Sequence, residues 1–298
     1  MANGFQVGIV TVTYNSGQVI EPFLHSLLAQ EYENFTLYLI DNASTDDTLN
    51  RVDQFRDPRI IVISNKQNVG VAAGNNQGIS ASLNDGFPFV LLINNDTEFP
   101  PSLVGDMLAA IETHECDMVV PKMYFFDDPN RIWCAGGAFN RLRGYSSRHF
   151  GEGELDVGQY DLARPVEYCP TCCTLIKSSV FQKIGMMDEK YFVYWDDSDF
   201  CYRAMNENLI TFYVPSIKLW HKVSSLTDGV HSEFSLYYGS RNKVYFLLKN
   251  RPRVEASIHL IAYWFYLLIF SVFHGLGRKL YLARQRGFFA GVSLNFNK

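Results

Sequence analysis

Over the first 120 residues, short apolar runs alternate with helically patterned stretches, and this restricts the chain to few folds. Val7–Val12, Phe35–Ile40, Ile60–Ile63, Phe89–Ile93 and Met118–Val120 read as strands. Between them, Val19–Leu28, Thr45–Phe55, Val71–Leu83 and Ser102–Thr113 read as helices. Ser44 is the expected N-cap of the second helix, with Asp46 and Asp47 in its first turn. Pro100-Pro101 suits entry into the fourth. Strand–helix alternation of this kind predicts an α/β fold, a mostly parallel sheet with helices on both faces. Such sheets bind ligands beyond the carboxyl ends of their strands. Polar residues gather at those ends: Thr13-Tyr14-Asn15, Asp41-Asn42, Asn68 and Asn94-Asn95-Asp96.

Several functions are disfavoured by what is missing. Strand one runs into Thr-Tyr-Asn-Ser-Gly, not the glycine fingerprint of a dinucleotide site. The same loop has no Lys or Arg to grip a triphosphate, which argues against a nucleotidyltransferase. Gly70, Gly74 and Gly78 recur at a spacing of four and are expected to let a helix pack closely on the sheet. The net charge of −5 does not suit a nucleic-acid partner. Met1–Gln6 carries no basic segment, so no secretory leader is expected. Cys169, Cys172 and Cys173 cluster without a second pair at zinc spacing and read as small buried residues in a reducing compartment.

The second half reads differently. Residues 124–170 show little periodicity. Leu175–Ile184, Trp195–Met205 and Ser232–Leu248 carry helical patterning, and Thr211–Val214 before Pro215 reads as a strand. Ala256–Leu276 is nearly uncharged and rich in aromatics, with Arg251 and Arg253 before it and Arg278, Lys279, Arg284 and Arg286 after it. Its polar interruptions favour a helix lying on a membrane surface over one that spans it. Packing on the main domain and assembly into a homodimer are the alternatives.

Asp96 closes a buried apolar strand, where a carboxylate is costly unless it meets a cation or hydrogen-bond donors. A divalent metal on a substrate phosphate would satisfy it; a turn aspartate is the plainer reading. Asp196, Asp197 and Asp199 crowd three acids into four residues and repel unless a cation is near or one is protonated. One could accept a proton from a hydroxyl while another caps the helix. Tyr191–Trp195 just before them is an aromatic run suited to the wall of a sugar site, with Tyr194 and Trp195 as acceptor-binding candidates. His221 gains meaning only in combination with Asp96.

Taken in order from about Val7 to Lys249, these motifs resemble the family-2 glycosyltransferases of the GT-A fold, more closely the bacterial rhamnosyltransferase-like branch. Each motif alone is weak; the ordered set is specific. The resemblance implies a GT-A catalytic domain over residues 1–250, with a nucleotide-binding half (1–121) and an acceptor-binding half (122–250), and a C-terminal helical segment over 251–298. It implies that Thr13, Tyr14, Asn15, Asp41, Asn68, Asn94 and Asn95 bind the donor, a dTDP- or UDP-sugar. Asp96 and His221 would hold Mg²⁺ or Mn²⁺, Asp197 would be the general base, and Asp196 would orient hydroxyls. Asn94 stands where the family's D-x-D element has its first Asp, which points to the rhamnosyl branch. Asp196 stands where Glu is commoner, and Trp-Asp-Asp keeps a galactofuranosyltransferase as a rival. The expected activity is inverting, metal-dependent transfer of L-rhamnose to a lipid-linked saccharide in cell-surface polysaccharide synthesis, on the inner face of the cytoplasmic membrane. A non-catalytic glycan- or nucleotide-sugar-binding protein is the alternative of another class.

Overall fold

A computed structural model describes residues 4–223, 232–273 and 278–296. Its first half follows the alternation. Strands β1 (Val7–Thr13), β2 (Phe35–Asp41), β3 (Ile60–Ser64) and β4 (Phe89–Ile93) are linked by helices α1 (Ile20–Leu28), α2 (Thr48–Val52) and α3 (Val71–Asn84). A short β5 (Thr97–Glu98), helix α4 (Leu103–Thr113) and strand β6 (Met118–Phe125) follow. Strands β1 to β4 pair in parallel in the order β3-β2-β1-β4. Their side chains are almost wholly buried apart from β3, the outer strand.

Helix α2 is shorter than its sequence pattern suggests. It starts after Asp47, not Ser44. Ser44 is used elsewhere: its hydroxyl accepts from the Asn15 N–H at 2.9 Å, and its own N–H donates to Asp41 at 3.1 Å. The chain there folds as a polar turn that ties two strand ends together.

Leu175–Ile184 departs from the expected single helix. Cys173–Lys177 is a strand, β11, and only Ser178–Ile184 is helical (α5). A five-residue apolar run is too short for periodicity to separate strand from helix. Strand β11 lies antiparallel between β4 and β6. Small strands β7 (Ile132–Cys134), β8 (Gly137–Asn140), β9 (Ser146–His149) and β10 (Arg164–Val166) occupy the aperiodic region. Buried Lys122 of β6 pins the acidic loop there through Asp156 (2.9 Å) and Asp161 (2.5 Å). Helix α6 (Asp196–Asn206) leads to β12, which runs from Thr211 to His221 and not only to Val214. Its register against β6 shifts between Val214 and Lys218, a bulge that accommodates Pro215.

Three helices end the chain: α7 (Glu233–Asn250), α8 (Arg253–Phe273) and α9 (Arg278–Phe296). Helix α9 packs on α7 through glycines, since a Cβ on Gly287 or Gly291 would lie 2.3 Å from the Tyr237 or Arg241 carbonyl oxygen. Helix α8 leaves an apolar stripe exposed: Val254, Ile258, Ile261, Phe265 and Ile269 are all more than half accessible. Among the described residues no helix is long and apolar enough to cross a membrane. All six cysteines are free and buried, Cys169, Cys172 and Cys173 among them.

Gly74 and Gly78 do bring α3 onto the sheet. A Cβ on Gly74 would meet Val12 at 2.9 Å, and one on Gly78 would meet Val10 at 2.4 Å. Gly78→Ala is therefore expected to cost about 1–3 kcal/mol of folding stability by overpacking. Val10→Ala in the same chain should recover part of it. A denaturant titration that finds no loss in the single variant would mean that α3 can shift to admit the methyl.

Candidate active site

The tail of β12 makes the first part of the site. It pairs antiparallel with β5, setting His221 opposite Thr97 and Trp220 opposite Glu98. That register places Asp96, the residue before β5, beside His221. The His221 Nε2 lies 3.1 Å from the Asp96 Oδ1, and both side chains are buried. The Lys222 N–H donates to the Asp96 carbonyl at 2.8 Å and fixes the approach. Among the described residues the His221 Nδ1 has no hydrogen-bond partner. A buried carboxylate oxygen and imidazole nitrogen side by side form a donor set that fits Mn²⁺ or Mg²⁺. Among the described residues no third His, Cys, Asp or Glu joins them.

A cavity of about 480 Å³ opens beside the ends of β1 and β2, lined by Tyr14, Asn42, Asn68, Gly70, Phe192 and Val193. Of the donor-binding candidates, Tyr14 and Asn68 line it. Thr13 ends β1, buried, its hydroxyl without a hydrogen-bond partner. Asn94 is exposed. Others are committed to shaping the loops. The Asp41 carboxylate accepts from the Ser44 N–H. The Asn15 side chain accepts from the Thr45 N–H at 2.8 Å. The buried Asn95 amide donates to the Val12 carbonyl (3.2 Å) and the Ser16 hydroxyl (3.0 Å).

The acidic cluster divides by environment. Asp199 is fully buried and neutralised by Arg203 (2.8 Å) and Lys249 (2.8 Å), with Asn250 and Tyr191 also donating to it. It anchors α6 to α7. Among the described residues Asp196 and Asp197 have no such cation. Burial, and then the charge of Asp197, holds the Asp196 carboxyl well above its usual range. Burial also raises Asp197. The Asp197 carboxylate is oriented by the Tyr168 hydroxyl at 2.7 Å and by the Ser198 N–H at 2.6 Å.

The aromatic run before the acids is held in a costly shape. Phe192, Tyr194 and Trp195 all have positive φ, which disfavours side chains this bulky. Two clamps hold them. The buried Asn242 amide of α7 donates to the carbonyls of Tyr191 (2.8 Å), Val193 (2.7 Å) and Tyr194 (2.9 Å). The Val71 N–H at the start of α3 donates to the Phe192 carbonyl at 2.6 Å. Gly70 has φ +88°, and any Cβ there would lie 2.5 Å from the Phe192 oxygen. Tyr194 bonds Ser235 at 2.9 Å, and Trp195 packs half-buried on Phe246.

Sequence reasoning missed the residues that join the two parts. Trp133 meets His221 edge-on, with ring centroids 4.4 Å apart, and meets His149 at 4.9 Å. His149 stacks on Tyr168 at 5.7 Å, and Tyr168 reaches Asp197. The His149 Nδ1 lies 3.2 Å from the Trp133 carbonyl oxygen. Burial keeps the His149 imidazole below its usual pKa, against the pull of Glu152 and Asp197. Trp133 and His149 sit on strands too short to show a period, and Tyr168 makes only an isolated bridge to Gly137. Their chemistry, a Trp, a His and a Tyr in one aperiodic stretch, was the only available signal.

Comparison with known proteins agrees with this geometry. Residues 8–185 match the family model described as Glycosyl transferase family 2. The dTDP-rhamnosyl transferase RfbF of Shigella flexneri is 23% identical over 275 residues, covering 89% of this chain and 85% of that one. The N-acetylglucosaminyl-diphospho-decaprenol L-rhamnosyltransferase of Mycobacterium tuberculosis is 27% identical over 257 residues, covering 78% of this chain and 81% of that one. The crystal structure of GalNAc-T7 with UDP, GalNAc and Mn²⁺ superposes with a TM-score of 0.63 at 14% identity. It covers 83% of this chain, which spans half (50%) of that one.

The raised pair has a consequence for stability. A carboxyl that ionises less readily folded than unfolded stabilises the fold at low pH and loses that contribution as pH rises. With Asp196 pushed up to about 7, the loss falls between about pH 4 and about pH 7. Asp196→Asn should therefore melt at a higher temperature than the parent at about pH 8, with the gain fading toward about pH 4. An equal offset at both ends of the range would assign the effect to packing.

Proposed function

The chain belongs to glycosyl transferase family 2, and we propose that it transfers L-rhamnose from dTDP-rhamnose to a hydroxyl of a lipid-linked saccharide, with inversion at the anomeric carbon. The observation that carries this is the joining of Asp96–His221 to Asp197 across Trp133, His149 and Tyr168. A cation-holding pair and a base then share one wall of the same site. The names of the Shigella and mycobacterial relatives favour the rhamnosyl donor, and the mycobacterial one favours a lipid diphosphate acceptor.

The residues divide the work. Tyr14 and Asn68 line the cavity that would take the nucleoside. Asp96 and His221 would hold Mg²⁺ or Mn²⁺, with donor phosphates and water completing the shell. When bound, that cation neutralises charge building on the departing diphosphate. Asp197, aimed by Tyr168 and Ser198, takes the proton of the attacking hydroxyl. Burial disfavours the charged form of His149, which limits ion pairing with Asp197. A base on one face of the sugar and a leaving group on the other require a single displacement.

The exposed stripe of α8 favours a place on a membrane surface. Free buried cysteines suit the reducing, cytoplasmic side.

Asp197→Asn should lower transfer by about 10²–10⁴-fold while calorimetry finds donor binding intact. Asp96→Asn and His221→Ala should instead abolish the Mn²⁺-dependent part of dTDP or UDP binding. Equal loss of binding in all three would remove the base assignment, and metal-independent binding in the parent would remove the metal site.

Replacing Ile261 and Phe265 together with Asp should reduce co-sedimentation with phosphatidylglycerol vesicles. Unchanged sedimentation, with a shift in oligomeric mass, would assign the stripe to a homodimer.

A further inference from the structure

A second cavity of about 520 Å³ is walled by the turn at 141–144, strand β9, α7 and α8. Arg143, Gly144, Ser146, Lys243, His259 and Tyr263 line it. Its positive charge comes from Lys243 and Arg143, since His259 already faces Glu255 at 3.9 Å. Lys243 donates to the Arg143 carbonyl (3.1 Å) and the Ser146 hydroxyl (3.2 Å), and its ammonium lies 4.6 Å from the centre of the Tyr263 ring. Among the described residues no carboxylate pairs with Lys243 or Arg143. An ammonium carries three protons, and two are spent on neutral oxygens. Burial, with Arg143 nearby, pushes Lys243 down to about 8. A buried cation without a counter-charge lowers its cost by receiving an anion. Gly144, at φ +67°, brings the turn close to Lys243: a Cβ there would press to 3.2 Å on the Lys243 side chain.

Position ties this cavity to the reaction. Strand β9 begins at Ser146, in the cavity, and ends at His149, against Tyr168 and so beside Asp197. Three residue steps of strand span about 10 Å, roughly the length of a sugar and its linkage. The opposite wall, α8, carries the exposed apolar stripe. Running outward from Asp197, the order is base, cationic cavity, apolar face. An acceptor built as sugar, diphosphate and lipid has the same order.

We propose that the Arg143–Lys243 cavity binds the diphosphate of a lipid-linked acceptor. The inference rests on the lipid-linked reading of the acceptor given above, and names the subsite that would recognise it.

Farnesyl diphosphate serves as the probe, titrated calorimetrically into the full chain without divalent metal, with inorganic diphosphate as the companion ligand. The parent should bind farnesyl diphosphate. Lys243→Gln and, independently, the exposed Arg143→Gln should each weaken it by about tenfold or more, as expected for a lost charged hydrogen bond of about 1.5–3 kcal/mol. Asp96→Asn should leave it unchanged. Binding that survives both cavity variants, or that is lost with Asp96→Asn instead, would overturn the proposal by placing the anion in the donor site. So would variants that lose phosphatidylglycerol vesicle binding yet keep the probe, since the cavity would then hold a bilayer headgroup. The titration needs no transfer, so it can fail while metal-dependent donor binding succeeds, and the reverse.

Discussion

One side-chain amide, that of Asn242, holds the centre of the molecule together. It donates to three carbonyls of the loop 191–194, in which Phe192 and Tyr194 hold positive φ. Strain of this kind costs of order 1–3 kcal/mol per residue and persists only where neighbours over-determine it. The loop is trapped from the other side by Gly70 and the start of α3. Helix α3 in turn is seated on β1 by glycines. The wall of the cavity beside β1 and β2 and the start of the acidic helix are thereby one rigid object. Asp196 and Asp197 inherit their position from it.

The acids of α6 show how one short sequence supplies two kinds of carboxylate. Asp199 is given two cations and serves as a structural anchor. Asp196 and Asp197 are given burial instead, which raises their proton affinity, while the Tyr168 and Ser198 donors on Asp197 pull the other way. Asp96 has a third arrangement, an imidazole neighbour at hydrogen-bond distance. Identity and spacing alone do not distinguish these fates; the surrounding charges do.

Much of the fold could be read from the sequence because its first half repeats one unit. Apolar runs bounded by Tyr14, Asp41, Asn68 and Asp96 mark strand ends, and the strands stand where the runs are. The glycine spacing on α3 was legible for the same reason. Beyond Tyr124 the signal fails. Strands β7 to β10 are three or four residues long, so alternation has no room to register. His149 and Tyr168 act on residues far along the chain, through contacts that no local pattern encodes. Asn242 looks like an ordinary polar position of an amphipathic helix until its burial is seen. The apolar run at Cys173–Lys177 merges in sequence with the helix after it, and only pairing with β4 and β6 separates them.

That inserted strand also governs how the molecule can be assembled. Strand β4 has β1 on one side and β11 on the other, and β11 lies some eighty residues further on. While the ribosome has delivered only the first half, β4 presents an open hydrogen-bonding edge beside a wholly apolar strand, the kind of surface that recruits other chains. Closure of a loop that long must precede any reward from the pairing, which makes this topology slow to complete. The two halves are consequently inseparable in folding. The first half expressed alone would carry its own aggregation template.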